Sequence, residues 1–175
     1  MQYGKQWLKK VRKIEKLDEP LVAVCEIPAK SRCKYKLDKK TGHLELARIM
    51  EQHCSYPANY GFIPRTRSSD GEELDILVIT SEPLLPLTTV ECSIVGGFVV
   101  KAQHEPPEEK LLAVATLDPS VCDARELDEV DQKVRKDIEQ FFSTYKRVEG
   151  IATEFGGWSK RDQALKWLEH ALRAA

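Results

Sequence analysis

From Leu21 onward the chain is a series of short apolar or alternating runs separated by polar turns. Each run has the length of a strand, is rich in Val, Ile and Leu, and is bounded by Pro, Gly, Asp or Ser, which is the pattern of β-strands. The pattern predicts strands at 21–27, 34–37, 43–49, 74–80, 90–100 and 110–116. The first two thirds of the chain is therefore expected to form a compact β unit.

The last third of the chain is helical in pattern. Apolar residues recur at helical spacing between polar positions from 130 to 145, and Gly150 follows as a stop signal. The residues on this predicted face are Val130, Val134, Ile138, Phe141, Phe142 and Tyr145.

A second predicted helix begins at Ser159, where Asp162 three residues later completes a capping-box pattern. Its apolar face is formed by Leu165, Leu168 and Leu172. Strands followed by helices predict an α+β fold, most simply a small antiparallel barrel with flanking helices, two of them C-terminal.

Composition narrows the class of protein. The chain has 175 residues, with 27 Lys and Arg against 28 Asp and Glu, a formal net charge of -1. This length predicts one domain at 21–175, preceded by a basic N-terminal extension at 1–20. The near-neutral charge argues against nucleic-acid and membrane partners, and no run has the length of a membrane span. The five cysteines follow no ligand or disulfide spacing, so a cytoplasmic protein with reduced thiols is expected.

An acidic loop at 70–75 precedes one of the apolar strands. Asp70, Glu72 and Asp75 repel one another unless a cation lies among them, and an all-oxygen ligand set favours a hard metal such as Mg²⁺. An acidic surface turn explains the same residues, because Asp-Gly is common in turns. The loop alone leaves both interpretations open.

Cations and tyrosines elsewhere favour the metal interpretation. A condensed phosphate carries several negative charges, which metals and Lys, Arg and Tyr donors can meet together. Taken singly, each residue is equally well explained as a solvated charge or a core position. The candidates are Lys34 with Tyr35, Arg48, Tyr60, Lys110, and Tyr145 with Lys146.

Five segments in order resemble the soluble family I inorganic pyrophosphatases over nearly the whole chain from Leu21. They are CEIPAKSRCKYKLD at 25–38, SYPANYGFIP at 55–64, DGEELDILV at 70–78, EEKLLAVA at 108–115 and FFSTYK at 141–146. The resemblance implies a five-stranded OB-like barrel with flanking helices. It also implies hydrolysis of pyrophosphate to two phosphates by a metal-bridged hydroxide, with Mg²⁺ as cofactor and Mn²⁺ as a substitute.

The resemblance assigns roles to individual residues. Glu72 falls on the position of the base, and Lys34, Arg48 and Tyr60 are implied to act in catalysis. The implied metal ligands are Asp70, Asp75, Glu108 and, more peripherally, Glu26. The implied substrate-binding residues are Lys34, Arg48, Tyr60, Lys110, Tyr145 and Lys146.

The departures from the family pattern are all on the acidic side. Glu72 and Glu108 stand where the family has Asp, Gln103 replaces another metal-binding Asp, and Lys36 occupies a position that is usually Glu. We hypothesise that Lys36, or a nearby group such as His104 or Glu105, replaces an outer metal ion and leaves an inner pair.

Two other functions remain open from the sequence. The altered acidic positions suit a catalytically weakened protein that binds phosphate, pyrophosphate or a nucleotide in a regulatory role. An OB-like barrel also suits nucleic-acid binding, although the charge balance argues against it. The family resemblance further predicts a homo-oligomer.

Overall fold

The structure is a computed structural model that describes residues 8–175. The predicted extension at 1–20 therefore lies partly outside the described residues. The strands are β1 Leu21–Ile27, β2 Cys33–Leu37, β3 Leu44–Ile49, β4 Asn59–Phe62, β5 Asp75–Ile79, β6 Thr89–Ala102, β7 Glu108–Ala115 and β8 Thr153–Lys160. The helices are α1 Gln132–Phe142 and α2 Arg161–Arg173.

Five strands form a ring in the order β1, β4, β5, β7, β6 and back to β1. This confirms the predicted five-stranded OB-like architecture. One feature of the prediction was wrong, because β5 and β7 pair in parallel whereas the other neighbours in the ring are antiparallel. The antiparallel pairs β5–β4, β4–β1 and β1–β6 make β5 and β6 run in opposite directions. Because β7 lies between them and is antiparallel to β6, it runs parallel to β5.

Two elements stand beside the ring. β2 and β3 form a separate antiparallel hairpin, and β8 pairs with β6 as a sixth strand of the main sheet. Sequence patterning missed β4 and β8. β4 has only four residues, one of them glycine, and β8 is interrupted by Gly156 and Gly157. Neither segment has the apolar run on which strand prediction depends.

Both faces of the ring are buried. Along β5, Leu77 and Ile79 belong to an apolar cluster that includes α1, whereas Ile76 and Val78 belong to a second cluster that includes α2. Burial on both faces explains why β5 and β7 are almost continuously apolar rather than alternating.

The helix α1 is shorter than the predicted range of 130–145. Asp131 caps its N-terminus by accepting a hydrogen bond from the backbone N–H of Lys133 at 2.6 Å. Val130 and Tyr145 lie outside the helix but remain buried in the same cluster. Gly150, the predicted stop, instead ends a short 3₁₀ turn at Arg147–Glu149 with a φ of 72°.

The helix α2 confirms the predicted C-terminal helix but not its predicted start. Ser159 belongs to β8, and the N-cap is Lys160, whose side chain makes no capping hydrogen bond. Leu168 is buried as expected, beside Ala164 and Ala171. Because β8 separates α1 from α2, only α2 is C-terminal to all the strands.

No helix within residues 8–175 is long and apolar enough to cross a membrane. The five cysteines, all within the described range, are free thiols.

Gly61 marks a close approach between β4 and β1, where the pairing register shifts after Cys25. A Cβ at this position would lie 1.8 Å from the carbonyl oxygen of Val24, which is backbone and cannot rotate away. We therefore expect Gly61→Ala to lower the free energy of unfolding by at least about 3 kcal/mol in urea denaturation. Gly150→Ala is the control, because a Cβ there meets nothing within 4 Å and only the left-handed backbone costs about 1–2 kcal/mol. Equal losses would contradict the assigned clash.

Candidate active site

The parallel pairing of β5 and β7 brings two acidic strand starts to the same end of the ring. Asp75 is the first residue of β5, and Glu108 is the first residue of β7. Side chains alternate along a strand, so Lys110 projects to the same face of β7 as Glu108. The ring therefore presents two carboxylates and an ammonium group at one place.

The Lys110 ammonium is buried and fully bonded. Its Nζ donates to Asp75 Oδ2 at 2.6 Å, to Glu108 Oε2 at 2.8 Å and to the Tyr60 hydroxyl at 3.1 Å. Tyr60 in turn donates to Asp75 Oδ2. An ammonium group has three N–H donors, so each has a partner here. These contacts tie β4, β5 and β7 together at the site.

The charges in this cluster support one another. Burial favours the neutral amine of Lys110, but Asp75 in particular overrides it and raises the pKa of Lys110 well above its usual value. Burial likewise favours protonated Glu108, but the neighbouring Lys110 overrides it and lowers the pKa of Glu108. Burial raises the pKa of Tyr60 well above its usual value. At neutral pH Lys110 is therefore a cation, Glu108 a carboxylate and Tyr60 a neutral phenol.

A cavity of about 210 Å³ opens beside this cluster. Carboxylates from three strands and the acidic loop line it, as do lysines from β2, β7 and two connecting segments. The carboxylates are Glu26, Asp70, Glu72, Glu73, Asp75 and Glu108. The lysines are Lys34, Lys36, Lys39, Lys110 and Lys146. The six acids and five bases leave the cavity close to electrical balance.

Glu26 is partly protonated near neutral pH. Burial is the main cause that raises its pKa to about 7, with a smaller contribution from Asp75. The backbone N–H of Leu37 donates to Glu26 Oε1 at 2.7 Å, which fixes the side chain at the wall of the cavity.

The acidic loop is ordered by its own backbone and by lysines. Asp70 Oδ1 accepts a hydrogen bond from the backbone N–H of Glu72 at 2.9 Å. Glu72 faces Lys36 at 3.5 Å and Lys39 at 3.4 Å, one lysine on each carboxylate oxygen. Lys36 is the main cause that lowers the pKa of Glu72. Glu72 is therefore held in the ionised form.

Lys34 and Lys146 are two further lysines of the cavity wall. Burial, followed by the charge of Arg48, lowers the pKa of Lys34. Lys146 donates to Glu105 Oε2 at 2.6 Å and lies 3.7 Å from Glu108 Oε1. Tyr145 also lines the cavity, and burial raises the pKa of its phenol.

Arg48 is the predicted site residue that does not line the cavity. It pairs with Lys34 in the β2–β3 register, and its guanidinium forms an ion pair with Glu149. Its Nε–H is buried and donates to no partner among residues 8–175. Gln103 is also outside the cavity lining; its backbone N–H donates to Ala152. All the other predicted catalytic, substrate and metal residues line the cavity.

Sequence reasoning gave no role to several residues that line the cavity. Tyr56 stacks at a tilt on Tyr60, with ring centroids 5.5 Å apart, and Phe62 and Phe142 add apolar walls. Tyr56 lies in the same segment as Tyr60, SYPANYGFIP, so the sequence could have indicated Tyr56 as a second tyrosine of the site. Lys39 was also overlooked, because no local pattern shows that a lysine after β2 meets the acidic loop.

The donor set suits a hard cation in its chemistry. Carboxylate oxygens are the ligands preferred by Mg²⁺, and Asp75 Oδ1 accepts no hydrogen bond from any residue between 8 and 175. Within the same range, no three His, Cys, Asp or Glu side chains are grouped as a ready metal cage. Asp75 and Glu108 are instead paired with Lys110. A cation must therefore compete with a lysine for part of its ligand set.

Fold and cavity together define a class of protein, an OB-like β ring with a cavity at one end that is lined by both carboxylates and lysines. A family model described as inorganic pyrophosphatase matches residues 23–175. The inorganic pyrophosphatase of Halalkalibacterium halodurans is 37% identical over 156 residues, which are 88% of this chain and 95% of that relative.

Solved structures agree with this match. The structure of inorganic pyrophosphatase from Thermus thermophilus has a TM-score of 0.89 at 31% identity and covers 95% of this chain and 97% of its own. The enzyme from Helicobacter pylori has a TM-score of 0.88 at 32% identity, with 94% and 98% covered. The chain therefore belongs to the inorganic pyrophosphatase family. This confirms the activity predicted from the sequence, hydrolysis of pyrophosphate.

Lys110→Met tests the charged cluster. Methionine keeps the apolar stem but leaves Asp75 and Glu108 without their counter-charge, so we expect the free energy of unfolding to fall by about 2–3 kcal/mol. This is less than for a fully buried pair, because both carboxylates are partly exposed. Lys101→Met, which removes an exposed lysine 3.9 Å from Glu154, is the control and should change stability by less than about 0.5 kcal/mol in urea denaturation. Unchanged or increased stability of Lys110→Met would refute the role given to the cluster.

Proposed function

We propose that this chain hydrolyses pyrophosphate in the 210 Å³ cavity at the end of the ring, with the help of Mg²⁺. The observation that carries the proposal is the composition of the cavity wall, in which carboxylates able to hold a cation and lysines able to hold phosphate face one space. Tyr60 and Tyr145 add neutral donors to the same wall.

The charge balance supports a requirement for a divalent cation. The five lysines of the wall are offset by six carboxylates, so little positive charge is left for a ligand with several negative charges. A bound divalent cation supplies the missing charge where the ligand lies. Lysines alone would serve a less highly charged anion.

Asp70, Asp75 and Glu108, with Glu26 at the periphery, are the residues proposed to hold Mg²⁺. The chemistry supplied by the bound ion is Lewis acidity, which neutralises charge on phosphate oxygens and lowers the pKa of water. Glu26 is a weak ligand near neutral pH, because burial raises its pKa to about 7.

Glu72 is proposed as the base that takes a proton from the attacking water. A carboxylate must be ionised to act as a general base, and Lys36 and Lys39 keep the Glu72 carboxylate ionised. The same lysines make it a weaker base than a free glutamate. As the base, Glu72 therefore accepts a proton readily only from a water molecule that is more acidic than bulk water.

Lys34 and Lys146 are proposed to bind the phosphate oxygens, with Arg48 supporting Lys34 from the neighbouring strand. Lys110 is bonded to three protein groups in this structure. Contact between Lys110 and phosphate, as the resemblance implies, therefore requires one of these hydrogen bonds to be exchanged.

The second candidate function is binding of phosphate or pyrophosphate without efficient hydrolysis. The observation that favours it is the pairing of Glu72 with two ammonium groups, because a carboxylate stabilised in this way takes up a proton less readily. Release of phosphate from pyrophosphate by the purified protein distinguishes the two functions. Action in the cytoplasm as a homo-oligomer, without a nucleic-acid or membrane partner, remains a prediction.

Glu72→Gln tests the base. The amide keeps the size of the side chain but accepts no proton, so we expect phosphate release from pyrophosphate to fall by at least about 10²-fold with the unfolding midpoint nearly unchanged. Glu82→Gln, an exposed glutamate distant from the cavity wall, should retain full activity in the same assay. Near-normal phosphate release by Glu72→Gln would show that another group is the base.

Removal of divalent ions tests the cofactor. Protein treated with a chelator should release no phosphate, and Mg²⁺ or Mn²⁺ should restore activity. Calorimetric titration with Mn²⁺ is expected to show an inner pair of ions, because the Lys36 ammonium already lies beside Glu72. Lys36→Glu should bind an additional ion, whereas Lys40→Glu, outside the cavity lining, should not. More ions than the inner pair in the wild-type protein would contradict the part given to Lys36.

A further inference from the structure

The N-terminal segment Leu8–Val11 is fastened to the ring by one arginine. The Arg65 guanidinium donates to the carbonyl oxygens of Leu8 at 3.4 Å, Lys9 at 3.3 Å and Val11 at 2.5 Å. Arg65 has a φ of 62°, in the left-handed region that residues other than glycine rarely adopt. Such a conformation costs free energy and persists only where the surroundings hold it in place. The segment is therefore held at a defined position.

Through Leu8, the segment Leu8–Val11 packs against an apolar cluster that lies next to the cavity wall. Leu8 lies on a small apolar cluster formed by Val24 of β1, Leu37 of β2 and Phe62 of β4. Phe62 is also a wall of the cavity, and the backbone of Leu37 holds Glu26. Support from Leu8 thus reaches the three strands that meet at this corner.

A lysine connects this cluster to the acidic loop. Lys39 Nζ lies 5.0 Å from the centroid of the Phe62 ring, within cation–π distance. The same ammonium pairs with Glu73 and lies 3.4 Å from Glu72 Oε2. Lys39 therefore links an apolar support on one side to the proposed base on the other.

Exposure shows which lysine can position Glu72. The side chain of Lys36 is 60% exposed and that of Glu72 is 56% exposed, so their ion pair lies at the surface, where solvent weakens it. The side chain of Lys39 is only 24% exposed and rests on Phe62. Of the two lysines, Lys39 is the one whose place is set by packing.

We propose that Leu8 and Lys39 are positioning residues for Glu72. The segment Leu8–Val11 packs against Phe62 through Leu8, Phe62 supports Lys39, and Lys39 holds the carboxylate of Glu72, the proposed base, in place. The proposal rests on the role of Glu72 as base. Displacement of a reacting group by a fraction of an ångström lowers the rate of the chemical step, so the support should affect turnover more than substrate binding.

The test compares Leu8 with Leu17, a second leucine that precedes β1. Leu8 packs on the Phe62 cluster, whereas Leu17 packs on the separate apolar cluster that includes α2. Leu8→Ala is expected to lower kcat for phosphate release by about 5-fold with KM within about twofold of the wild-type value. Leu8→Met should restore kcat. Leu17→Ala should leave kcat unchanged, even where it lowers the unfolding temperature as much as Leu8→Ala does.

A double-mutant cycle with Lys39→Met identifies the route of the effect. If Leu8 acts through Lys39, Leu8→Ala will lower kcat in the wild-type protein but not in the Lys39→Met background. An equal effect in both backgrounds, or an equal loss of kcat in Leu17→Ala, would show a merely structural role and overturn the proposal.

Glu72→Gln in the same assay separates this proposal from the one on which it rests. An active Glu72→Gln variant overturns the assignment of the base and, with it, the positioning proposal. An inactive Glu72→Gln variant together with additive effects of Leu8→Ala and Lys39→Met overturns the positioning proposal alone.

Discussion

The site depends on one buried ammonium group. Lys110 is only 1% exposed, so its three hydrogen bonds to Tyr60, Asp75 and Glu108 replace most of the solvation that its charge loses on burial. Those bonds fix two carboxylates that would otherwise repel each other at the end of the ring. They also join three strands whose side chains form the cavity wall. Fold and site thus share a single set of contacts.

The topology of the ring explains why these groups meet. Because β5 and β7 run in parallel, the residues that begin them, Asp75 and Glu108, lie at the same end. Antiparallel pairing of the two strands would have placed these carboxylates at opposite ends. Burial on both faces leaves the strand ends and connecting loops as the places where polar side chains can converge.

The balance of charge around the cavity links its structure to its function. Asp75 and Glu108, two of the carboxylates proposed to bind a cation, form ion pairs with Lys110, and Glu72 lies between Lys36 and Lys39, so much of the charge around the cavity is balanced within the protein. Pyrophosphate bound together with the proposed Mg²⁺ would bring charges of both signs, which can replace these internal ion pairs. The paired lysines and carboxylates are therefore compatible with a site that binds its anion and its cation together.

Sequence reasoning was successful where one physical signal dominated. The apolar runs identified β1, β5, β6 and β7, because two-sided burial leaves a strong pattern, and the ordered segments identified most of the cavity wall. It failed where position depends on contacts distant in the chain. The meeting of Lys39 with the acidic loop, the turning of Arg48 toward Glu149 and the parallel pairing of β5 with β7 have no local signature. Ser159 had the local signature of a helix cap, but pairing with β6 drew it into β8.

A crystal structure of the protein grown with Mn²⁺ and phosphate tests the central claim most directly, because anomalous scattering locates the ions independently of the protein model. The account predicts Mn²⁺ within coordination distance of Asp70, Asp75 and Glu108, and phosphate in contact with Lys34 and Lys146. Ions bound elsewhere, with Asp75 and Glu108 still engaged only by Lys110 and phosphate outside the cavity, would contradict it.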